Sequence, residues 1–375
     1  MSGRRLDGAR PGAEVPASPA PERDSAQVGI VGCGIIAKVY VEGSAAFDSF
    51  DVVACSDLDT ESADAFAEVH GLRAASVDEL IADPSIDVVL NLTPPGAHAA
   101  VIRAALEAGK HVYTEKPLTT TLAEGRDLLA EADRRGLRIG CAPDTFLGRA
   151  YETARELIAR GEIGTPLAAT ATFLVGGPDD WHPNADVFYQ AGGGPMLDIA
   201  PYYLTAIASL LGPYRAALGL ASTPTPERRF GVGPRAGESF AVDVPTHAVA
   251  ALQLESGALA TVTVSFEAFG QYASGLVVHG SGGSLELPDA NYFGGSIRIR
   301  NGDGEWKPVP YETPGPRETR GIGLDEMLAA IREERPHRAS GALALHVLET
   351  ALAALQSADE GRTVEIGALE AVEPR

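Results

Sequence analysis

Cysteine is scarce in this chain: Cys33, Cys55 and Cys141 are widely separated, and no CxxC pair occurs. That excludes a disulfide framework and a thiolate zinc site, and it suits a reducing, cytoplasmic setting. Basic residues are also few, 30 against 51 acidic ones, so a formal charge of −21 argues against nucleic acid or an anionic membrane as a partner. No apolar run approaches the roughly 18 residues of a membrane span. The pair Arg4 and Arg5 has no apolar stretch behind it, so residues 1–25 read as a disordered tail rich in Pro, Ala and charge, not as a signal peptide. Metal-ligand spacing is missing throughout, and no metal is expected.

The 375 residues are 45% hydrophobic, enough for two cored domains. From residue 26 to 144, short β-rich runs alternate with amphipathic helical ones, the pattern of a parallel sheet covered on both faces. Gly71 and Gly109 stand where two of those helices should stop. Over residues 145–375 the pattern changes to a helix and then strands separated by turn signals such as ESG and NGDG, which predicts a mostly antiparallel sheet. The fold class is therefore α/β, a Rossmann domain followed by an α+β domain with an open-faced sheet.

VGIVGCGIIAKVY places Gly32, Gly34 and Ala37 in G-x-G-x-x-A spacing between a strand and a helix. Gly32 allows a tight turn, Gly34 lets the backbone approach a pyrophosphate, and Ala37 permits close helix-to-strand packing. Ile35 and Ile36 open the helix whose N-terminus faces the anion. Asp57, twenty residues after Ala37, ends the second strand, where a carboxylate takes both ribose hydroxyls and repels a 2′-phosphate; this favours NAD over NADP. Asp57 also reads as an ordinary helix cap. NLTPPGAH and YTEKPL end two further strands, and aim Thr93, Pro94, His98, Glu115 and Lys116 at the same crevice.

GGGPMLDIAPYYLTAI sets Asp198 and Tyr202 four apart. On a helix that spacing stacks two polar side chains on one face, which then needs a polar partner. Pro195 suits a first turn, whereas Pro201 removes a backbone donor and should bend or restart the helix.

In their order along the chain, GCGIIA, TPPGAH, EKP, GGGPMLD, HGSGGSLEL and the C-terminal RPHRASGALALHVLETALAALQSADEGRTVEI resemble the Gfo/Idh/MocA oxidoreductases, from Val28 to about Ile366. The resemblance implies a nicotinamide dehydrogenase acting on a secondary alcohol of a sugar, cyclitol or related polyol. It implies that Lys116 lies beside the nicotinamide and the reacting oxygen. It also implies an Asp and a His four apart after the glycine run. Asp198 matches the first, but Tyr202 stands where many members carry histidine; some relatives, glucose-fructose oxidoreductase and dimeric dihydrodiol dehydrogenase among them, look similar in having tyrosine there. A homodimer or homotetramer through the second sheet is implied as well.

Oxidising CH–OH requires a positioned acid/base at the hydroxyl oxygen, and Tyr202 and Lys116 are the candidates. Their unperturbed pKa values, roughly 10 and 10.4, need nearby positive charge to favour proton loss. Asp198 pulls the lysine the other way and orients it. Tyr202 is read as the proton-exchanging group and Lys116 as the group that polarises the oxygen, with the reverse assignment open. Trp181, His182 and Asn184 lie in a loop expected to border a polyol, with a plain surface loop as the alternative. Asp144 and Thr145 fall near the domain junction; His337 and His346 read as structural. Two other function classes stay open: a glycosidase using NAD for transient oxidation, and a noncatalytic ligand-sensing protein.

Overall fold

A computed structural model describes residues 25–268, 273–302, 304–311 and 317–369. The expected tail, apart from Ser25, and Asp303 of the NGDG turn lie outside these described residues. In the first half, β1 (Ala26–Val31), β2 (Phe50–Ser56), β3 (Arg73–Ala74), β4 (Val88–Asn91), β5 (His111–Thr114) and β6 (Ile139–Cys141) form one parallel sheet in the order β3-β2-β1-β4-β5-β6. The connecting helices are α1 (Ile35–Ser44), α2 (Thr60–His70), α3 (Val77–Ala82), α4 (Pro95–Glu107) and α5 (Leu122–Arg135). Val28, Ile30, Val89, Leu90 and Val112 are fully buried, as strands covered on both faces require. Chain order reverses between β1 and β4, and that reversal opens a crevice beyond the carboxyl ends of the strands. Gly71 ends α2 in a left-handed conformation, and Gly109 does so just after α4. β3 and α3 are too short to leave a periodic signal.

The second half comprises α6 (Arg149–Ala159), β7 (Pro166–Leu174), α7 (Pro195–Asp198), α8 (Ala200–Leu211), β8 (Tyr214–Ser222), β9 (Glu227–Arg229), β10 (Ser239–Ala241), β11 (His247–Leu254), β12 (Leu259–Ser265), β13 (Ala273–Gly280), β14 (Gly283–Leu287), β15 (Ile297–Asn301), β16 (Trp306–Val309), α9 (Ile322–Arg332), α10 (Gly341–Glu360) and β17 (Val364–Glu365). Nine strands form a sheet ordered β16-β15-β14-β13-β7-β12-β11-β8-β17, antiparallel except where β7 meets β12. One face shares a core with α8 and α10 through Tyr203, Ile207, Val262, Val264, Leu276 and Ala351. The other face leaves Leu167, Leu218, Leu220, Val249 and Leu259 exposed.

Two features depart from the sequence reading. α9, which no motif announced, buries Leu324, Met327 and Leu328 in the core under β1 and β4, so residues beyond 145 complete the first domain. α10 is long and apolar enough to cross a membrane by length and composition, contrary to the expectation that no such stretch exists. It lies between the two halves instead, with Leu345 and Leu348 in one core and Val347, Ala351 and Ala354 in the other. Contact with a sheet on each side gives it apolar residues on most of its circumference.

Candidate active site

The crevice begins at the turn after β1. Gly32 has φ of 101°, and a Cβ there would stand 2.7 Å from the Leu92 carbonyl oxygen, so only glycine fits. Gly34 differs: its φ of −74° is ordinary and a Cβ would meet nothing within 4 Å. That open space, at the N-terminus of α1 where no side chain caps the helix, is what a pyrophosphate needs. Asp57 accepts hydrogen bonds from Cys33 N at 2.8 Å and Asp59 N at 3.0 Å, so its carboxylate is fixed at the end of β2. The helix cap of α2 is Asp59, not Asp57. Ile35 is 72% exposed and Leu58 95% exposed at the ends of these adjacent strands; Ile36 is half-buried against the first core. The residues therefore fit a dinucleotide.

Beyond β4, Thr93 is folded back on Asn91, whose Oδ1 accepts from its Oγ1 at 2.7 Å, and Pro94 stands exposed at the start of α4. His98, expected at the cofactor, is fully buried. Its ring nitrogens lie 2.6 Å from the Pro117 carbonyl oxygen and 2.8 Å from that of Thr93, so it ties the two crevice loops together from behind. Burial lowers its pKa while the two carbonyls, which favour N–H donors, raise it, and a neutral ring donates to only one of them.

After β5 the chain delivers Glu115 and Lys116 towards α7. Glu115 accepts from Tyr40 Oη at 3.0 Å. Lys116 Nζ donates to Asp198 Oδ1 at 2.5 Å and to the Asp198 carbonyl oxygen at 2.8 Å, and lies 5.5 Å from the centroid of the Tyr202 ring. The structure thus brings Lys116, Asp198 and Tyr202 into one cluster and supplies the polar partner that the helix face needs. The glycine run turns the chain sharply into it: Gly194 has φ of 82°, and a Cβ there would come 2.9 Å from the Pro245 carbonyl oxygen. The helix does restart at Ile199 and Pro201, so Asp198 closes the short α7 while Tyr202 belongs to α8.

Burial works against a charge on Lys116, but Asp198, Tyr202 and Glu115 outweigh it and raise its pKa above the ordinary lysine value. Lys116 is therefore an ammonium in this state, and a base only after Asp198 lets go. Burial pushes the Tyr202 phenol up, while Lys116 and a second cation, Arg320, pull it down. Sequence reasoning missed Arg320, which reaches Tyr202 Oη with Nη2 at 3.4 Å and Asp144 Oδ1 with Nη1 at 2.7 Å. It lies in an irregular segment before α9, 118 residues from Tyr202, with no motif to mark it. Asp144 is fully buried at the junction of the two halves, and Thr145 donates to the Ala290 carbonyl oxygen at 2.7 Å.

In the neighbouring loop, the side-chain contacts of Trp181, His182 and Asn184 are with each other, Phe188 and Arg235. Trp181 is 65% exposed, His182 packs its ring against Phe188 with centroids 5.0 Å apart, and Asn184 accepts from Arg235. Tyr203 is fully buried and donates to Asp289 at 2.7 Å, leaving Tyr202 as the tyrosine of the site. His337 and His346 are buried, and bond the backbone at Ile139 and Tyr214. Among the described residues no cluster of three or more His, Cys, Asp or Glu could hold a metal.

The family model described as an oxidoreductase family with an NAD-binding Rossmann fold matches residues 26–142, and the GFO/IDH/MocA C-terminal domain matches residues 151–286. The chain belongs to the Gfo/Idh/MocA oxidoreductases. It is 28% identical to 1,5-anhydro-D-fructose reductase of Ensifer adhaerens, over 90% of this chain and 98% of that one. It is 29% identical to trans-1,2-dihydrobenzene-1,2-diol dehydrogenase of Bos taurus, over 81% and 87% of the two chains. Among solved structures, levoglucosan dehydrogenase in complex with NADH and levoglucosan superposes with a TM-score of 0.79 at 24% identity, over 91% of this chain and 99% of that one. As a member of this family the chain is an NAD-binding oxidoreductase, with the cofactor crevice and the Lys116 cluster at adjoining strand ends.

Proposed function

We propose that the protein is an NAD-dependent dehydrogenase or reductase that interconverts a secondary hydroxyl and a ketone of a sugar, anhydrosugar or cyclitol, with Tyr202 as the acid/base. The observation that carries this reading is the hydrogen-bond count at Lys116. An ammonium has three donors, and Asp198 takes two of them. One remains for a substrate oxygen. Held in this way, Lys116 polarises and positions that oxygen, and the phenol beside it exchanges the proton. NAD, held at the turn after β1 and by Asp57, would supply the hydride acceptor when bound. The names of the relatives, a sugar reductase, a diol dehydrogenase and an anhydrosugar dehydrogenase, support a polyhydroxylated substrate. They lend no support to glycoside cleavage or to ligand sensing.

The carboxylate of Asp57 favours NAD over NADP in this reading. The chain works in the cytoplasm as a homodimer or homotetramer, its exposed sheet face covered by a second copy; Leu220 and Val249 pair directly across β8 and β11 on that face. A stable oligomer in light scattering, lost on Leu220→Asp, supports that arrangement. The function is tested by following NADH absorbance with the purified protein over levoglucosan, 1,5-anhydro-D-fructose, inositols and hexoses. Turnover of one of these, reduced by about 10² to 10⁴ in Tyr202→Phe with NAD affinity retained, is the expected result. Undiminished turnover in Tyr202→Phe removes the phenol from the mechanism.

A further inference from the structure

We propose that Arg320 is a positioning residue for proton transfer: anchored on Asp144, its guanidinium holds the Tyr202 oxygen and stabilises the phenolate formed when that hydroxyl gives up its proton. This rests on the reading of Tyr202 as the acid/base. Arg320 comes from the segment before α9, and its geometry is fixed at one end. Nη1 donates to Asp144 Oδ1 at 2.7 Å, and the other oxygen of that carboxylate accepts from Gly323 N at 3.2 Å. Asp144 is fully buried and tied to the start of α9, so the guanidinium is held by a group that does not move with solvent.

The other arm of the fork points at the phenol. Nη2 lies 3.4 Å from Tyr202 Oη, and the guanidinium carbon lies 5.8 Å from the centre of that ring. At 3.4 Å the bond is long, as catalytic hydrogen bonds are before a substrate closes the site. A structural ion pair would be complete with Asp144 alone. Here the second arm occupies an acceptor position on the phenol oxygen, and among the described residues Tyr202 Oη donates to no protein acceptor. Its proton is thus left for a substrate oxygen. Two cations, Arg320 and Lys116, lie within 6 Å of the centre of the phenol ring, the cation–π range.

Among the described residues, four charged side chains act on the phenol: Lys116, Arg320, Glu115 and Asp198. Lys116 and Glu115 come from the turn after β5, Asp198 from α7, and Arg320, anchored on Asp144, from the junction; Tyr40 from α1 donates to Glu115. Lys116 and Arg320 each have a carboxylate in contact, Asp198 and Asp144, and both still draw the phenol's pKa down. Arg320 does not lose its proton in the range where enzymes work, which makes its positive charge constant while Tyr202 cycles between phenol and phenolate. Within the proposed reaction, the Tyr202 phenol gives its proton to the substrate oxygen in the reductive direction and becomes the phenolate; in the oxidative direction that phenolate takes the proton back from the substrate hydroxyl.

The test uses the full chain labelled with ¹³C at the tyrosine Cζ and saturated with NAD, the Tyr202 resonance being identified by its loss in Tyr202→Phe. The ionised fraction of Tyr202 is read at one alkaline pH in wild type, Arg320→Lys and Arg320→Met. The double variant Arg320→Met with Asp144→Asn is included because the single change leaves a buried carboxylate unpaired. The ionisation constant is expected to fall by roughly tenfold in both methionine variants, equivalent to one pKa unit, with partial recovery in Arg320→Lys. Equal ionised fractions in wild type and the methionine variants, at unchanged NAD affinity, overturn the proposal. Should Tyr202→Phe keep full turnover while the titration shifts as expected, Arg320 acts on the phenol and the assignment of the phenol as acid/base is what fails.

Discussion

Replacing Asp198 with Asn keeps the shape of the Lys116 site and removes its counter-charge. Two unit charges with centres roughly 3.5 Å apart attract by about 5 kcal/mol at an effective dielectric of about 20. The two side chains are 16% and 20% exposed, so water screens part of that. We expect the low end of the cost of breaking a buried pair, about 3 kcal/mol. The same change acts on the amine. In the native protein, burial disfavours the ammonium and Asp198 more than compensates, so the folded pKa lies above the unfolded one. The stability from the pair is therefore fully present below the unfolded pKa of roughly 10.4, and is lost only as pH rises through the folded value. The deficit of Asp198→Asn should be complete at pH 7 and shrink in strongly alkaline solution. Urea unfolding at both pH values measures it. Competitive acetylation of Lys116, read by mass spectrometry, measures the amine, whose neutral fraction rises about tenfold for each unit its pKa falls. Native reactivity and native stability at pH 7 in Asp198→Asn would refute the electrostatic account of the cluster.

Gly34→Ala should fold like the native chain, because its Cβ meets nothing, yet bind NAD more weakly by calorimetry. Gly32→Ala should instead lose stability, by more than about 1 kcal/mol in urea unfolding, since the residue sits at positive φ against the Leu92 carbonyl. Asp57→Ala should narrow the preference for NAD over NADP in the ratio of kcat/KM values; an unchanged ratio places the discrimination elsewhere. Tyr203→Phe, which removes one hydroxyl bonded to Asp289, should cost about 1 kcal/mol or more in stability and leave the pH profile of turnover unchanged.

Local chemistry made part of this molecule legible before any coordinates. The turn glycines, the acid after β2, the EKP lysine and the proline that restarts α8 each act through backbone sterics or spacing within a few residues, and the sequence carries that information directly. The period of two in β11 and β12 and the continuous apolar runs of β1 and β4 are local for the same reason. What the chain order could not show is who meets whom across a hundred residues. Arg320 carries no pattern that separates it from the other basic residues, and only the packing of α9 under the first sheet brings it to Tyr202. His98 has a motif that points at the crevice, but its fully buried ring belongs to the scaffold behind it, a matter of which way a side chain turns once α4 has docked. The sign of charge at Lys116 was likewise decided by tertiary structure: a lysine near a carboxylate in sequence logic became a locked ammonium only when α7 placed Asp198 against it, because electrostatic energies depend on distance and burial, and neither is written along the chain.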